Sequence, residues 1–264
     1  MQTIVLTGAA GLVGSVLRAP LRRAAKRLIL VDRAPLTAEA PNEDVRQADL
    51  TSAETVAPII EGADAVVHLA GIPDEAPLPS LLEANVLGAH HVLEAGRRTG
   101  VPRVVLASSN RLTGCYPVTT TVSPEMPPRP DGLYGVSKVA VEALGRLYAD
   151  KFGLRVVCLR IGSLEAEPTE PRHLATWLSP RDCAGFVLAA LTHPDVRFAA
   201  AYAVSANTRA FWELTDDLGY RPLDDAESHG IAGGESFFAE GTPQGGGYAD
   251  PVYTLLRGGL AASA

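Results

Sequence analysis

The chain has 264 residues, 47% of them hydrophobic and 20% charged, which suits one soluble α/β domain with room for a small lobe. Thirty acidic residues against 23 basic ones give a formal charge of −7 with no run of five Lys or Arg, so a nucleic-acid partner is excluded. Cys115, Cys158 and Cys183 are odd in number and widely spaced, there is no His-Glu-x-x-His or similar metal motif, and no apolar run reaches membrane-spanning length, so disulfide frameworks, metal sites and membrane spans are excluded as well.

Thr3-Ile4-Val5-Leu6-Thr7 is a short apolar run that reads as a strand. A strand that begins at Thr3 leaves no room for a signal peptide, so a cytoplasmic location is expected. Gly8, Gly11 and Gly14 follow at once, and a helical pattern runs from Ser15 to about Ala25. In that context Gly8 suits a tight turn, Gly11 a close approach of backbone to a pyrophosphate, and Gly14 the packing of helix on strand, with the helix N-terminus facing the phosphates. Leu28–Val31 is a wholly apolar second strand ending at Asp32. An acid there would accept from a ribose 2′-hydroxyl and repel a 2′-phosphate, favouring NAD over NADP; the alternative is a cap, and Arg33 next door weakens the preference.

Asp44–Ala48 is the expected third strand, closed by Asp49-Leu50, with Thr51 capping a helix to about Gly62. Asp49 suits either an adenine amine or a helix cap, and Leu50 suits packing on the ring. Ala65–Gly71 reads as the fourth strand, its end Leu69-Ala70-Gly71 small enough for a cofactor to approach. His68 inside it reads as a satisfied core histidine. A long helix is expected over Leu81–Arg98, with Asn85 inside it either bonding nearby backbone or facing solvent. Val101–Ala107 is the fifth strand, followed by Ser108-Ser109-Asn110 at its carboxyl edge.

Residues 111–133 hold five prolines and read as a substrate-covering loop. Tyr134 and Lys138 then lie four apart at the start of a helix over Tyr134–Lys151, on one face. An ammonium beside a phenol favours the phenolate, so Tyr134 is expected to titrate below the ordinary phenol range and to serve as a general base. Leu154–Gly162 is the sixth strand, with Ser163 past its end. In the irregular stretch 164–180 most charges read as solvated, while Arg172 offers a guanidinium fork suited to a carboxylate. Helices are expected over Arg181–Leu191 and Arg209–Leu218, a seventh strand over Ala199–Val204, and loop over 221–264.

The glycines at 8, 11 and 14, Ser109, and Tyr134-xxx-Lys138, in that order, resemble the extended branch of the short-chain dehydrogenase/reductase superfamily over roughly residues 3–205. The stretches Ala107–Asn110, Gly114–Pro117, Arg129–Lys138, Arg160–Ser163 and Thr176-Trp177 further resemble the uronate dehydrogenases. The resemblance implies an α/β Rossmann-type doubly wound parallel sheet. Residues 1–160 would form the dinucleotide-binding core with the active-site loop, and 161–264 a small C-terminal substrate-binding part packed on the same domain. It implies NAD-dependent oxidation of a hexuronate, galacturonate or glucuronate, at C1 to the aldarolactone. Tyr134 would be the base, Ser109 would hold the hydroxyl, and Lys138 would bind the ribose and keep the phenol acidic. By the same resemblance Leu12, Val13, Asp32, Asp49, Leu50, Leu69, Ala70, Gly71, Lys138 and Ile161 fall on NAD positions. Ser109, Asn110, Ser163 and Arg172 fall on sugar positions, with Arg172 on the carboxylate. Two departures stand near the sugar: Arg111 where the family tends to have His, and Pro73 where it tends to have Ser. The added Arg111 is compatible with an acidic ligand. The expected partner is a small uronic acid, with the chain as a homo-oligomer. The rival readings are a nucleotide-sugar epimerase or dehydratase and a non-catalytic NAD-binding redox sensor.

Overall fold

The computed structural model describes residues 1–260; the loop expected at 261–264 lies outside the described residues. The chain runs β1 (Thr3–Thr7), α1 (Leu12–Ala24), β2 (Arg27–Asp32), β3 (Glu43–Gln47), α2 (Ala53–Ile60), β4 (Ala65–His68), and then one continuous helical stretch. That stretch is α3 (Leu78–Leu81), a π-helical segment (Leu82–Leu87) and α4 (Gly88–Thr99). After it come β5 (Arg103–Ser109), a 3₁₀ turn (Asn110–Thr113), α5 (Leu133–Phe152), β6 (Arg155–Ile161), β7 (Ser163–Leu164), α6 (His173–Thr176), β8 (Trp177–Leu178), α7 (Pro180–Thr192) and β9 (Phe198–Ala203). The final described part holds a 3₁₀ turn at Ala226–His229, α8 (Gly234–Phe237), a second at Gly246–Ala249, and α9 (Pro251–Arg257).

Seven strands form one parallel sheet in the order β3-β2-β1-β4-β5-β6-β9. The alternation of side chains across a strand explains its two buried faces. Ile4, Leu6, Leu28, Leu30 and Val67 pack with α1 and α7 on one side. Val5, Ile29, Val66 and Val104 pack with α2, α4 and α5 on the other. The order reverses at β1 and β4, and the carboxyl ends of strands flanking such a reversal leave a crevice where open α/β sheets bind ligands.

Several boundaries differ from the sequence reading for local reasons. Ser52, not Thr51, caps α2: its hydroxyl accepts from Thr55 N at 3.2 Å while Thr55 Oγ1 accepts from Ser52 N at 3.1 Å. The helix expected at Arg209–Leu218 does not form. Phe211 and Trp212 are instead buried beside Tyr202, and the Val122 backbone bonds Phe211 O and Glu213 N, so this segment is used as an edge bridge. The stretch 164–180 carries a two-stranded parallel pair, β7 with β8, and the expected loop beyond 221 contains α9. Among the described residues no helix is long and apolar enough to cross a membrane.

Candidate active site

A cavity of about 1300 Å³ opens at the carboxyl ends of the central strands. It exceeds the ~300–1000 Å³ of a typical small-ligand pocket, leaving space for a dinucleotide and a sugar ring together. All the residues assigned above to NAD or to the sugar line it.

The dinucleotide side is built by β1, β2 and the turn between them. Gly8 has φ +69°, and a Cβ there would lie 2.7 Å from Ala70 N, so the turn demands glycine. Gly14 is required for a different reason from the one read in the sequence: its Cβ would collide with Gly8 O and the Ala9 backbone, so it seats α1 on the turn rather than on the strand. Gly11 is the N-cap of α1 and offers no side-chain cap, which leaves the first amides of the helix unpaired at the cavity. Asp32 is held by two backbone donors, Ala10 N and Ala34 N, each at 2.9 Å. The cap reading is thus observed, and the same carboxylate lines the cavity wall. This cradle, with free helix amides and no side chain over the turn, fits an adenine dinucleotide.

Gly71 faces Asn85, whose Oδ1 would lie 2.5 Å from a Cβ at that position. Asn85 resolves its two readings. It sits buried in the π-helical segment, accepts from Ile72 N at 2.7 Å, donates to Ile72 O at 3.1 Å and donates to Ser137 Oγ at 3.0 Å. It thereby ties the loop after β4 to α5. His68 is a satisfied core histidine: its Nδ1 shares a hydrogen bond with Thr7 Oγ1 at 2.8 Å, and burial, helped by the Lys138 charge, holds its pKa down at about 3.

Tyr134 and Lys138 both stand on the first turns of α5, facing the cavity. Lys138 Nζ donates to Ala107 O at 2.9 Å and lies 5.5 Å from the Tyr134 ring centre. Burial lowers the Lys138 pKa to about 8. The expectation of an acidic phenol is overturned for the protein alone. Burial pushes Tyr134 up to about 12, against the opposing pull of the Ser109 hydroxyl and the Arg111 charge, while Asp74 and Asp131 push it further up. The ammonium, engaged with Ala107 O, does not offset the desolvation of the phenol.

Arg111 has a different setting from the one expected. Its Nε donates to Asp131 at 2.9 Å, one terminal nitrogen to Asp74 at 2.7 Å and the other to Glu75 at 3.4 Å, so three carboxylates already share its charge. Glu75 in turn accepts from Leu133 N at 2.7 Å and Tyr134 N at 3.1 Å, capping the N-terminus of α5 where Gly132 has no side chain to do so. Arg172 is the opposite case. It is buried, donates to Gln244 O at 3.2 Å and to Ser163 Oγ at 2.9 Å, and forms no salt bridge with a carboxylate among the described residues. Asn110 Nδ2 nearby is buried without a partner. Tyr248 closes this end, its ring centre 5.2 Å from the Arg172 guanidinium carbon and 4.4 Å from that of Arg111. Glu75, Asp74 and Tyr248 were not singled out from the sequence. Only Tyr248 carried a signal, its place beside the glycine run 245–247.

The model of the NAD dependent epimerase/dehydratase family matches residues 4–181. A uronate dehydrogenase of Agrobacterium fabrum is 41% identical over 86% of this chain and 87% of its own. The chain belongs to this family and, within it, groups with the uronate dehydrogenases. A solved variant of the Agrobacterium tumefaciens uronate dehydrogenase in complex with NAD superposes with a TM-score of 0.88 at 37% identity, covering 96% of this chain and 98% of that one. The glucuronic acid dehydrogenase of Chromohalobacter salexigens does so with a TM-score of 0.88 at 36% identity, covering 94% and 96%. The Rossmann-type architecture expected from the sequence is thus the architecture of these dehydrogenases.

Proposed function

We propose that this protein is an NAD-dependent dehydrogenase that oxidises a hexuronate at C1 to the aldarolactone. The observation that carries the substrate class is Arg172: a buried guanidinium with no carboxylate partner among the described residues, in the same cavity as Tyr134, Lys138 and Ser109. A buried charge left unpaired is costly, and a planar carboxylate from a ligand is what a guanidinium fork pairs with best. NAD, bound along the glycine turn and Asp32, supplies the hydride acceptor and, when oxidised, a positive charge near the phenol.

The protein's own residues then do three things. Ser109 and Tyr134 hold the C1 hydroxyl, and Tyr134 takes its proton as hydride leaves the carbon. Lys138 would hold the ribose, and its positive charge, insufficient alone against the desolvation of the phenol, would add to that of the oxidised nicotinamide. Arg172, with Ser163 and Asn110, fixes the far end of the sugar and so aligns C1. Residues 161–264 supply Ser163, Arg172 and Tyr248, consistent with a small substrate-binding part. The activity of the uronate dehydrogenases this chain resembles supports the uronate, and the NAD complex of one of them supports the cofactor. A cytoplasmic homo-oligomer completes the reading, tested by light scattering and fractionation.

The deciding experiment follows the NADH absorbance band with galacturonate, glucuronate, the matching neutral hexoses and a hexose 6-phosphate. Turnover is expected with the uronates and far less with the neutral sugars. Arg172→Ala should raise the uronate KM by about 100-fold, as loss of one partner of a buried charge pair implies, and erase the preference over neutral hexoses. A preference that survives this substitution would remove Arg172 from carboxylate recognition.

A further inference from the structure

The carboxylate end of the site depends on where residues 244–257 lie. Gln244 O receives Arg172 Nε, and Tyr248 stands between the two guanidinium groups. Yet α9, which ends this segment, has no buried residue, and its Val252 and Leu256 are 57% and 79% exposed. Seven residues are too few to be a stable helix through propensity, and so little burial gives a weak apolar hold.

The strong contacts of α9 are polar and meet on one carboxylate. Tyr253 donates its hydroxyl to Asp74 at 2.7 Å, and Arg257, one turn further on the same face, donates to it at 3.0 Å. Asp74 also receives Arg111 at 2.7 Å and Glu75 N at 2.7 Å. Donors from the loop after β4, from the turn after β5 and from α9 thus converge on a side chain that itself lines the cavity.

We propose that Asp74 is a positioning residue for the uronate site: by holding α9 through Tyr253 and Arg257, and Arg111 against Tyr248, it sets the wall that receives the sugar acid. The inference rests on the reading of Arg172 as the carboxylate anchor. Tyr253 and Arg257 contact no reacting group; they act through Asp74.

The test compares Asp74→Asn, Tyr253→Phe and the double variant with the wild type. Tyr253→Phe, which leaves the Asp74 charge in place, should raise the uronate KM by about 5-fold with kcat changed by less than about twofold and the NAD KM unchanged, the signature of lost ligand positioning. Asp74→Asn should raise that KM by about 10-fold and also move the pH profile of kcat, because it removes one of the charges that raise Tyr134. The double variant should fall short of the sum of the two single effects, because Tyr253→Phe acts on a contact that Asp74→Asn has already weakened. Hydrogen exchange, which needs no turnover, should show the amides of 251–257 opening faster in Asp74→Asn while those of β1 and β5 stay as they were. Unchanged exchange at 251–257 overturns the proposal whatever the substrate is. So does a uronate KM unchanged in both variants, or, in Tyr253→Phe, a loss spread equally over kcat and NAD affinity. Failure of the wild type to oxidise any uronate would sink the substrate reading alone and leave the exchange result to decide whether Asp74 holds α9.

Discussion

Tyr134 rests in the cavity as a neutral phenol, with burial raising it to about 12 and Asp74 and Asp131 adding to that rise. Its competence as a base therefore depends on the charges assembled around it at the moment of reaction. Tyr134→Phe should lower kcat by ~10²–10⁴-fold, the range of general-base catalysis, while NAD binding measured by fluorescence quenching stays intact. His68 provides a prediction of a different kind. Its pKa is held at about 3 in the fold against an ordinary value of 6.5. Between those values the unfolded chain takes up a proton that the folded chain refuses. The full contribution of neutral His68 is therefore present above pH 6.5 and is lost as pH falls toward 3, at ~1.4 kcal/mol per unit. Asn can keep a partner on Thr7 without titrating, so His68→Asn should flatten the decline of stability between pH 6.5 and 5, read from urea midpoints. An identical slope in both proteins would mean that His68 does not stay neutral in the fold.

At the level of elements, the start of α5 and the π-helical segment determine where the reactive side chains point. Glu75 caps α5 from a residue 58 positions upstream, accepting the Leu133 and Tyr134 amides and sharing the Arg111 charge. Glu75→Ala leaves the half-buried Leu133 amide and the buried Tyr134 amide without partners, the latter at ~1–3 kcal/mol, and should lower Tm and reduce kcat together. A fall in Tm with kcat untouched would separate the cap from the placement of Tyr134. The Tyr134-xxx-Lys138 pair was legible because its spacing is local and its periodicity helical. The glycine turn was legible because its flanks were a strand and a helix. Glu75 was not, because nothing in its neighbourhood says that a helix begins at Leu133 without a capping side chain. Asn85 left a partial trace: a poor helix former inside a strong helical pattern, whose meaning appears only once Ile72 and Ser137 are beside it. The false helix at Arg209–Leu218 has the same origin, since burial of Phe211 and Trp212 against Tyr202 overrides local propensity.

For the whole molecule, the alternation of strands and helices and the ligand edge at the carboxyl ends of the strands were readable, while the strand order and the C-terminal part were not. The contact between Asp74 and Tyr253 spans 179 residues and has no local pattern to announce it. The cavity joins the glycine turn and Asp32 in the first half to a wall made by Arg172 and Tyr248 in the second. NAD at 100 times its Kd should stabilise the protein by ~2.7 kcal/mol, seen as a rise in Tm. A uronate alone should do less, because its reactive end has no partner to stack against; an equal shift from the sugar alone would argue that the two halves bind independently.

The parallel sheet also fixes the order in which a growing chain gains its powers. The glycine turn, Asp32, Tyr134 and Lys138 are all translated before β6 is complete, whereas Gln244 and Tyr248 leave the ribosome about a hundred residues later, some seconds at ~5–20 residues per second. The parts that line the dinucleotide side thus precede in the chain those that close the sugar side, while the core beneath β1 and β2 is completed only when α7 is in place.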